Sequence, residues 1–243
     1  SIALIGPLAN SKADMIGSWA GAGHADRDTR PVSLLTGIKE RAGEQVKIHY
    51  AKGASYAFQD ADDVSGFDEA IRAAEKSEVI ILAMGEEWSM TGEAASRTKL
   101  DMPGNQIALM KELRKLNKPI ILVLLSGRPL TIDWEQENLN SILMAWYPGT
   151  MGGLAIADVL FGDYNPSGKL PVTFPRTVGQ VPIYYNMKNT GRPYDPRQPN
   201  SKYVSRYLNT DNSPLYPFGF GLSYTTFDYS EITLSKTRIL END

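Results

Sequence analysis

The sequence predicts an α/β protein: a three-layer αβα sandwich with a mainly parallel sheet of about six strands, helices on both faces, and a long loop-rich C-terminal region. Three observations predict it. Short apolar runs of strand length alternate with segments of helical period along the first two thirds of the chain. The central runs are apolar at nearly every position, as strands covered on both faces must be. After Gly162 the texture changes: Pro, Gly, Tyr and Asn become frequent, and helical period disappears up to Tyr229. Strands and helices in strict alternation place crossover helices between the strands of one parallel sheet.

The elements follow in order. Ile2–Ile5 is a buried strand stopped by Gly6-Pro7. Pro31–Arg41 is amphipathic, with Leu34, Leu35 and Ile38 on one face and Gly43 as its stop. Val46–Tyr50 is a strand ending at Gly53, and Phe67–Lys76 is a helix facing inward through Phe67, Ile71 and Ala74. Glu78–Met84 is the most apolar strand. Pro103–Leu116 is a helix opened by proline, with Leu109, Leu113 and Leu116 on its inner face and Met110 beside them. Pro119–Leu125 and Ile142–Trp146 are strands, and Gly152–Phe161 is a compact helix. Glu231–Ser235 has the composition of a further strand. Many aromatic residues between Tyr184 and Tyr224 argue for ordered loops that pack on a neighbour or line outer binding subsites, packing being the simpler reading.

Composition narrows the function. The 243 residues carry 25 Lys and Arg against 28 Asp and Glu, a net charge of −3, and 42% hydrophobic residues. Such a chain buries a sizeable core and is neither disordered nor fibrous. Mild acidity argues against a nucleic-acid or membrane-surface binder, both of which need a basic face. No apolar run reaches the length of a membrane span. Cysteine is absent, which removes disulfides, thiolate metal sites and cysteine nucleophiles together. Ser1 enters a core strand at once, so the sequence reads as a piece of a longer protein.

Chemistry concentrates in one loop. Gly85 to Arg97 (GEEWSMTGEAASR) follows the most hydrophobic strand at its carboxyl end, where an open parallel sheet places its ligands. It holds three carboxylates, Glu86, Glu87 and Glu93, together with Trp88 and Arg97. A carboxyl beside a flat aromatic face suits carbohydrate chemistry, with the acid protonating a leaving oxygen and the ring stacking on a sugar. The alternative is a solvated loop in which Glu and Arg simply pair.

Other motifs are weaker. Gly149-Thr150-Met151-Gly152-Gly153 lacks the Lys-Ser/Thr of a phosphate loop and the spacing of a dinucleotide fingerprint, and reads as a tight turn with glycine at positive φ. No Gly-x-Ser-x-Gly elbow occurs. The two histidines, His24 in a loop and His49 in a strand, have no acidic ligand pattern around them, so a metal site is not expected.

Several stretches together resemble one family. They are Gly85–Arg97, then Trp146-Tyr147-Pro148-Gly149 with Gly152-Gly153, then Ala157–Pro171 (ADVLFGDYNPSGKLP), then Phe174-Pro175-Arg176, and finally Tyr216–Phe227 (YPFGFGLSYTTF). In this order they resemble the second, α/β-sandwich domain of glycoside hydrolase family 3, nearest to the bacterial periplasmic β-glucosidases, over nearly the whole chain. The resemblance implies residues 1–227 as that sandwich domain and 228–243 as a linker or first strand of a following fibronectin-type domain. It also implies a preceding (β/α)-barrel domain that carries an Asp nucleophile. The partners implied are that barrel and a β-glucoside or oligosaccharide substrate, with a homodimer as an arrangement found among similar enzymes. No cofactor, nucleic acid or membrane partner is implied, and the implied location is periplasmic or secreted.

By motif, the resemblance makes Glu93 the general acid/base, Trp88 a sugar-stacking wall and Arg97 a residue that binds substrate or positions the loop. Glu86 and Glu87 stay as lesser candidates, because the position of the acid varies across the family. The reaction implied is retaining hydrolysis of a terminal β-D-glucosyl bond, which the chain by itself should not perform. Asp158, Asp163 and Lys169 read as structural ties between loops and helix ends. The competing reading is a non-catalytic sugar-binding or scaffolding module that only shapes the barrel site.

Overall fold

The computed structural model describes residues 1–238 apart from 22, 24, 25 and 27, so His24 lies outside the described residues. Five strands, β1 (Ile2–Ile5), β2 (Ile48–Ala51), β3 (Val79–Gly85), β4 (Ile120–Leu125) and β5 (Ser141–Met144), alternate with helices. These are α1 (Ala13–Ile16), α2 (Leu34–Ala42), α3 (Phe67–Glu75), α4 (Gln106–Arg114), α5 (Asp133–Asn138) and α6 (Gly152–Phe161). All pairings are parallel, in the spatial order β2-β1-β3-β4-β5, with Ile80 beside Ile120 and Gly85 beside Leu125 across the central pair.

Side chains of one strand alternate between two cores, as the period of a strand requires. On one face, Ile80, Leu82 and Met84 of β3 pack with Leu122 and Leu124 of β4 beneath α3 and α4, through Ala70, Ala74, Leu109 and Leu113. On the other, Ile81 and Ala83 pack with Val123 and Leu125 beneath α2 and α6, through Leu34, Ile38, Ile156 and Ala157. Each fully buried Leu or Ile contributes about 1.5–3 kcal/mol, so the sheet is held chiefly by these two apolar layers.

Two helices, α2 and α6, end with recognisable capping chemistry. The Ser33 hydroxyl accepts from the Thr36 amide at 3.2 Å to start α2, and Gly43 closes it at φ 65°. α6 ends at Gly162 in the left-handed conformation. The glycines of Gly149–Gly153 have two different reasons. Gly149 has φ 93°, the turn expected there. Gly152 and Gly153 are helical, and Gly153 is needed for close approach: a Cβ on it would lie 2.1 Å from the Ser33 carbonyl oxygen, and one on Gly37 would lie 2.1 Å from that of Gly153. α2 and α6 therefore touch through bare backbone. Arg41 of α2 ties to Asp163 and lies 3.8 Å from Asp158, while Lys169 donates to the Gly221 carbonyl, the structural roles expected of these residues.

The sheet has five strands among the described residues, in keeping with the expected parallel sandwich, and Glu231–Ser235, expected outside it, pairs with none of them, Ile232 and Leu234 being exposed. Two details differ from expectation. β5 stops at Met144, since Trp146 adopts φ 54° and leaves the strand. Helices α1 and α5, which the apolar pattern does not announce, are also present. In the C-terminal region Phe174 and Tyr216 form a single bridge, and a chain of rings runs Trp146–Phe174–Tyr216–Phe220 at centroid distances of 5.9, 6.3 and 4.8 Å. Much of the remaining aromatic stretch is exposed, including a stacked pair, Tyr185 and Phe218.

Candidate active site

The loops that follow β1, β3, β4 and β5 meet at the carboxyl end of the sheet. At the root of the loop after β3, Gly85 has φ 135°, and a Cβ there would lie 1.8 Å from the Leu125 carbonyl oxygen. The buried Gln106 carboxamide clamps the same residue from below. Its Oε1 accepts from the Gly85 amide, and its Nε2 donates to the carbonyls of Gly85 and Pro103, all at 2.8 Å.

The three carboxylates of this loop have different surroundings. Glu86 is fully buried between two arginines: Oε1 accepts from Arg97 Nη1 at 2.8 Å, and Oε2 accepts from Arg128 Nε at 3.1 Å and from the Ser126 hydroxyl at 2.8 Å. Arg97 also donates to the Asp101 carbonyl at 2.8 Å and lies over the Phe58 ring. Arg128 further donates to the carbonyls of Met90 and Ala95. The two guanidiniums thus staple both limbs of the loop around one internal carboxylate. Glu87 is half-buried and accepts from the Ser89 hydroxyl.

Glu93 is exposed, and among the described residues no hydrogen bond or ion pair reaches it. Its neighbours Gly92 (φ 99°) and Ala94 (φ 58°) both take left-handed backbone. For Ala94 that conformation costs about 1–2 kcal/mol. Two such residues around one carboxylate turn the chain sharply at the tip of the loop.

The limb leading to this tip is braced from outside the loop. Asp14 of α1 accepts from the Trp88 amide at 2.6 Å. The Ser18 hydroxyl lies within hydrogen-bond reach of the Trp88 carbonyl and 2.5 Å from that of Thr91. Tyr147 accepts from the Thr91 hydroxyl at 3.2 Å and donates toward the Glu87 carbonyl at 3.2 Å. Trp88 itself is half-buried, within a single 3₁₀ turn at Trp88–Met90. Trp19, which is 73% exposed, borders the tip: its indole Nε1 would be 3.3 Å from a Cβ on Gly92. A cavity of about 350 Å³ opens between Trp19, Asp26, Arg30, Tyr147 and Pro148. A larger cavity of about 730 Å³ along β5 has no carboxylate in its lining.

The structure therefore places Glu86, Glu87, Trp88, Glu93 and Arg97 on one loop, and brings Glu86 and Arg97 into contact. Sequence reasoning gave no site role to Asp14, Ser18, Trp19, Arg128 and Tyr147, of which Tyr147 entered only within the family-like stretch Trp146-Tyr147-Pro148-Gly149. The signal for them was positional, since each lies in or beside a segment following a strand's carboxyl end. Among the described residues no group of three or more His, Asp or Glu could hold a metal ion. No helix among them is long and apolar enough to cross a membrane.

The arrangement is that of a parallel αβα sandwich that carries, at the carboxyl end of its sheet, an exposed carboxylate on a braced loop. The chain belongs to glycoside hydrolase family 3: residues 1–224 match the model of the glycosyl hydrolase family 3 C-terminal domain. It is 48% identical to the periplasmic beta-glucosidase of Salmonella typhimurium, over 97% of this chain and 32% of that protein. It is 41% identical to a beta-xylosidase of Formosa agariphila, over 100% of this chain and 32% of that protein. The crystal structure of a beta-glucosidase from Listeria innocua in complex with isofagomine superposes with a TM-score of 0.83 at 37% identity, covering 94% of this chain and 30% of that one. The chain spans about a third of the length of these relatives.

Proposed function

We propose that this chain is the sandwich part of a retaining β-glucosidase that removes terminal β-D-glucosyl residues, with Glu93 as its general acid/base. The single observation that carries the assignment is the contrast between the loop's carboxylates. Both oxygens of Glu86 are engaged by internal partners and Glu87 is held by Ser89, whereas Glu93 is exposed at the tip of a loop fixed on every other side.

In this reading an Asp on a (β/α)-barrel outside the chain attacks the anomeric carbon as Glu93 delivers its proton to the departing oxygen. Water then enters, Glu93 takes a proton from it, and the sugar leaves the Asp with retained configuration. The two carboxyls must come within about 5–5.5 Å of each other across the interface of the two domains. Trp88 offers a ring to the sugar. Arg97 serves by holding the loop, since its hydrogen bonds go to Glu86 and Asp101 rather than outward. Glucosides are favoured over xylosides because the more similar of the two relatives named above is a beta-glucosidase. That relative's name also supports a periplasmic location.

The test is Glu93→Ala in the full-length enzyme. Hydrolysis of a disaccharide, whose leaving group needs a proton, falls by about 10²–10⁴-fold. A dinitrophenyl glucoside, whose leaving group does not, falls far less, and azide restores turnover as a glycosyl azide of retained configuration. Equal losses on both substrates would remove Glu93 from the acid/base role.

A further inference from the structure

Tyr147 lies at the junction of four strand-end segments. It follows β5, and its ring packs against two glycines: a Cβ on Gly17 would lie 2.4 Å from Tyr147 Cδ2, and one on Gly127, after β4, would lie 2.7 Å from Thr91 Oγ1 and 3.0 Å from Tyr147 Cε2. The ring leaves Gly17 no room for a side chain, and Gly127 is closed jointly by Thr91 and the ring. The hydroxyl then reaches the loop after β3. It accepts from Thr91 Oγ1 at 3.2 Å, and its one proton is shared between the carbonyls of Glu87 at 3.2 Å and Glu86 at 3.4 Å. Burial raises the pKa of this phenol above its ordinary value, so it remains a donor throughout the neutral range.

Thr91 stands two residues before Glu93. Its carbonyl is held by Ser18, the residue next to the Gly17 that the Tyr147 ring covers. Tyr147 therefore grips the limb leading to Glu93 directly, through its hydroxyl, and indirectly, through the segment carrying Ser18.

We propose that Tyr147 is a positioning residue for the acid/base: its hydroxyl fixes the limb at 86–91 and thereby the place where Glu93 meets the glycosidic oxygen. This rests on Glu93 being the acid. A general acid must be within hydrogen-bond reach of the atom it protonates, and a displacement of about 1 Å can cost 10²-fold. The hydroxyl is the part of the side chain that sets this, because it makes the hydrogen bonds to the limb, while the ring packs against Gly17 and Gly127.

The experiment compares Tyr147→Phe with the parent and with Glu93→Ala, all as full-length enzymes. The phenylalanine keeps the ring and removes the three hydroxyl contacts. Amide hydrogen exchange at residues 88–94 rises in Tyr147→Phe while the central strands keep their protection. On a disaccharide, kcat falls about 10–100-fold with KM within about 2-fold, and on a dinitrophenyl glucoside kcat falls less than about 3-fold. Unchanged exchange in the loop overturns the brace. Raised exchange with equal kinetic losses on the two substrates, while Glu93→Ala does discriminate between them, overturns the positioning role alone. If Glu93→Ala shows no discrimination either, the acid/base reading itself fails and the positioning role falls with it, whatever the exchange data show. A drop in melting temperature with unchanged kcat in the folded enzyme marks Tyr147 as structural and likewise overturns the proposal.

Discussion

Arg97 Nη1 lies 2.8 Å from Glu86 Oε1, with 8% and 0% of the two side chains exposed. A buried ion pair is not strongly stabilising as a whole, but removing one partner strands the other's charge in a poor solvent for it. Here two cations, Arg97 and Arg128, share one buried carboxylate, with the half-exposed Asp101 carboxylate 3.9 Å from Arg97 as a further charge beside them. Glu86→Gln keeps the shape and takes away the charge. The expected loss is about 3–5 kcal/mol of stability, read as a lowered urea midpoint followed by tryptophan fluorescence. A loss below about 1 kcal/mol would mean that the arginines find other partners and that the staple is not what holds the loop.

Gly37→Ala and Gly149→Ala separate two reasons for glycine. At Gly37 the new Cβ would meet the Gly153 carbonyl oxygen at 2.1 Å, backbone that cannot step aside without parting α2 from α6. At Gly149 nothing lies within 4 Å, and only the φ of 93° opposes a side chain. The first substitution costs about 3 kcal/mol or more and the second about 1–2 kcal/mol. Thermal unfolding of the two variants should rank them in that order.

Glu135 of α5 gives a pH dependence. It is 2% exposed, and its Oε1 has no hydrogen-bond partner among the described residues. Burial pushes its carboxyl up to about 7; its own backbone amide and Lys111 pull the other way, and Asp101 and Asp133 add to the rise. The folded state therefore holds this proton more tightly than the unfolded chain does. Stability contributed by the neutral acid is fully present below about pH 4.5, declines as pH rises through about 7, and then levels off. Glu135→Gln should match the parent near pH 4.5 and exceed it by about 2–3 kcal/mol at pH 8 in urea unfolding. Parallel stability curves for the two proteins would show that the carboxyl is solvated or paired in solution.

The purified chain should leave p-nitrophenyl β-glucoside untouched. The proposed chemistry needs a nucleophile that the reading places outside these residues. Release of nitrophenol by the pure chain, lost with Glu93→Ala, would replace the two-part site by one contained within the sandwich.

The central strands β1, β3 and β4 were legible because burial on both faces writes itself as unbroken apolar runs, whereas the edge strands β2 and β5 are only partly buried and show it less cleanly. The boundaries of α6 were legible because glycines flank it. Less visible were features set by distant partners. Trp146 is as apolar as a strand residue, and nothing in its type reveals a positive φ that ends β5 early. Glu231–Ser235 has strand composition, yet composition does not supply an edge to pair with. α5, with the sequence Asp-Trp-Glu-Gln-Glu-Asn, is short and mostly polar, so it shows no apolar stripe. The position of the candidate site followed from the rule that parallel sheets act at their carboxyl ends. Ranking its carboxylates did not follow, since Glu86 differs from Glu93 through Arg128 and Ser126, residues about forty positions further along the chain.

The turn at Trp146 has a consequence beyond ending a strand. Consecutive aromatic side chains leave it for separate surroundings, Trp146 for the interior against Phe174 and Tyr147 for the braced loop. One peptide unit is thus shared between the hydrophobic interior and the machinery at the rim. Trimming Phe174 in that interior should therefore loosen the braced loop at the rim, read as raised amide hydrogen exchange at residues 86–91, so the candidate loop is held in part by a residue of the core.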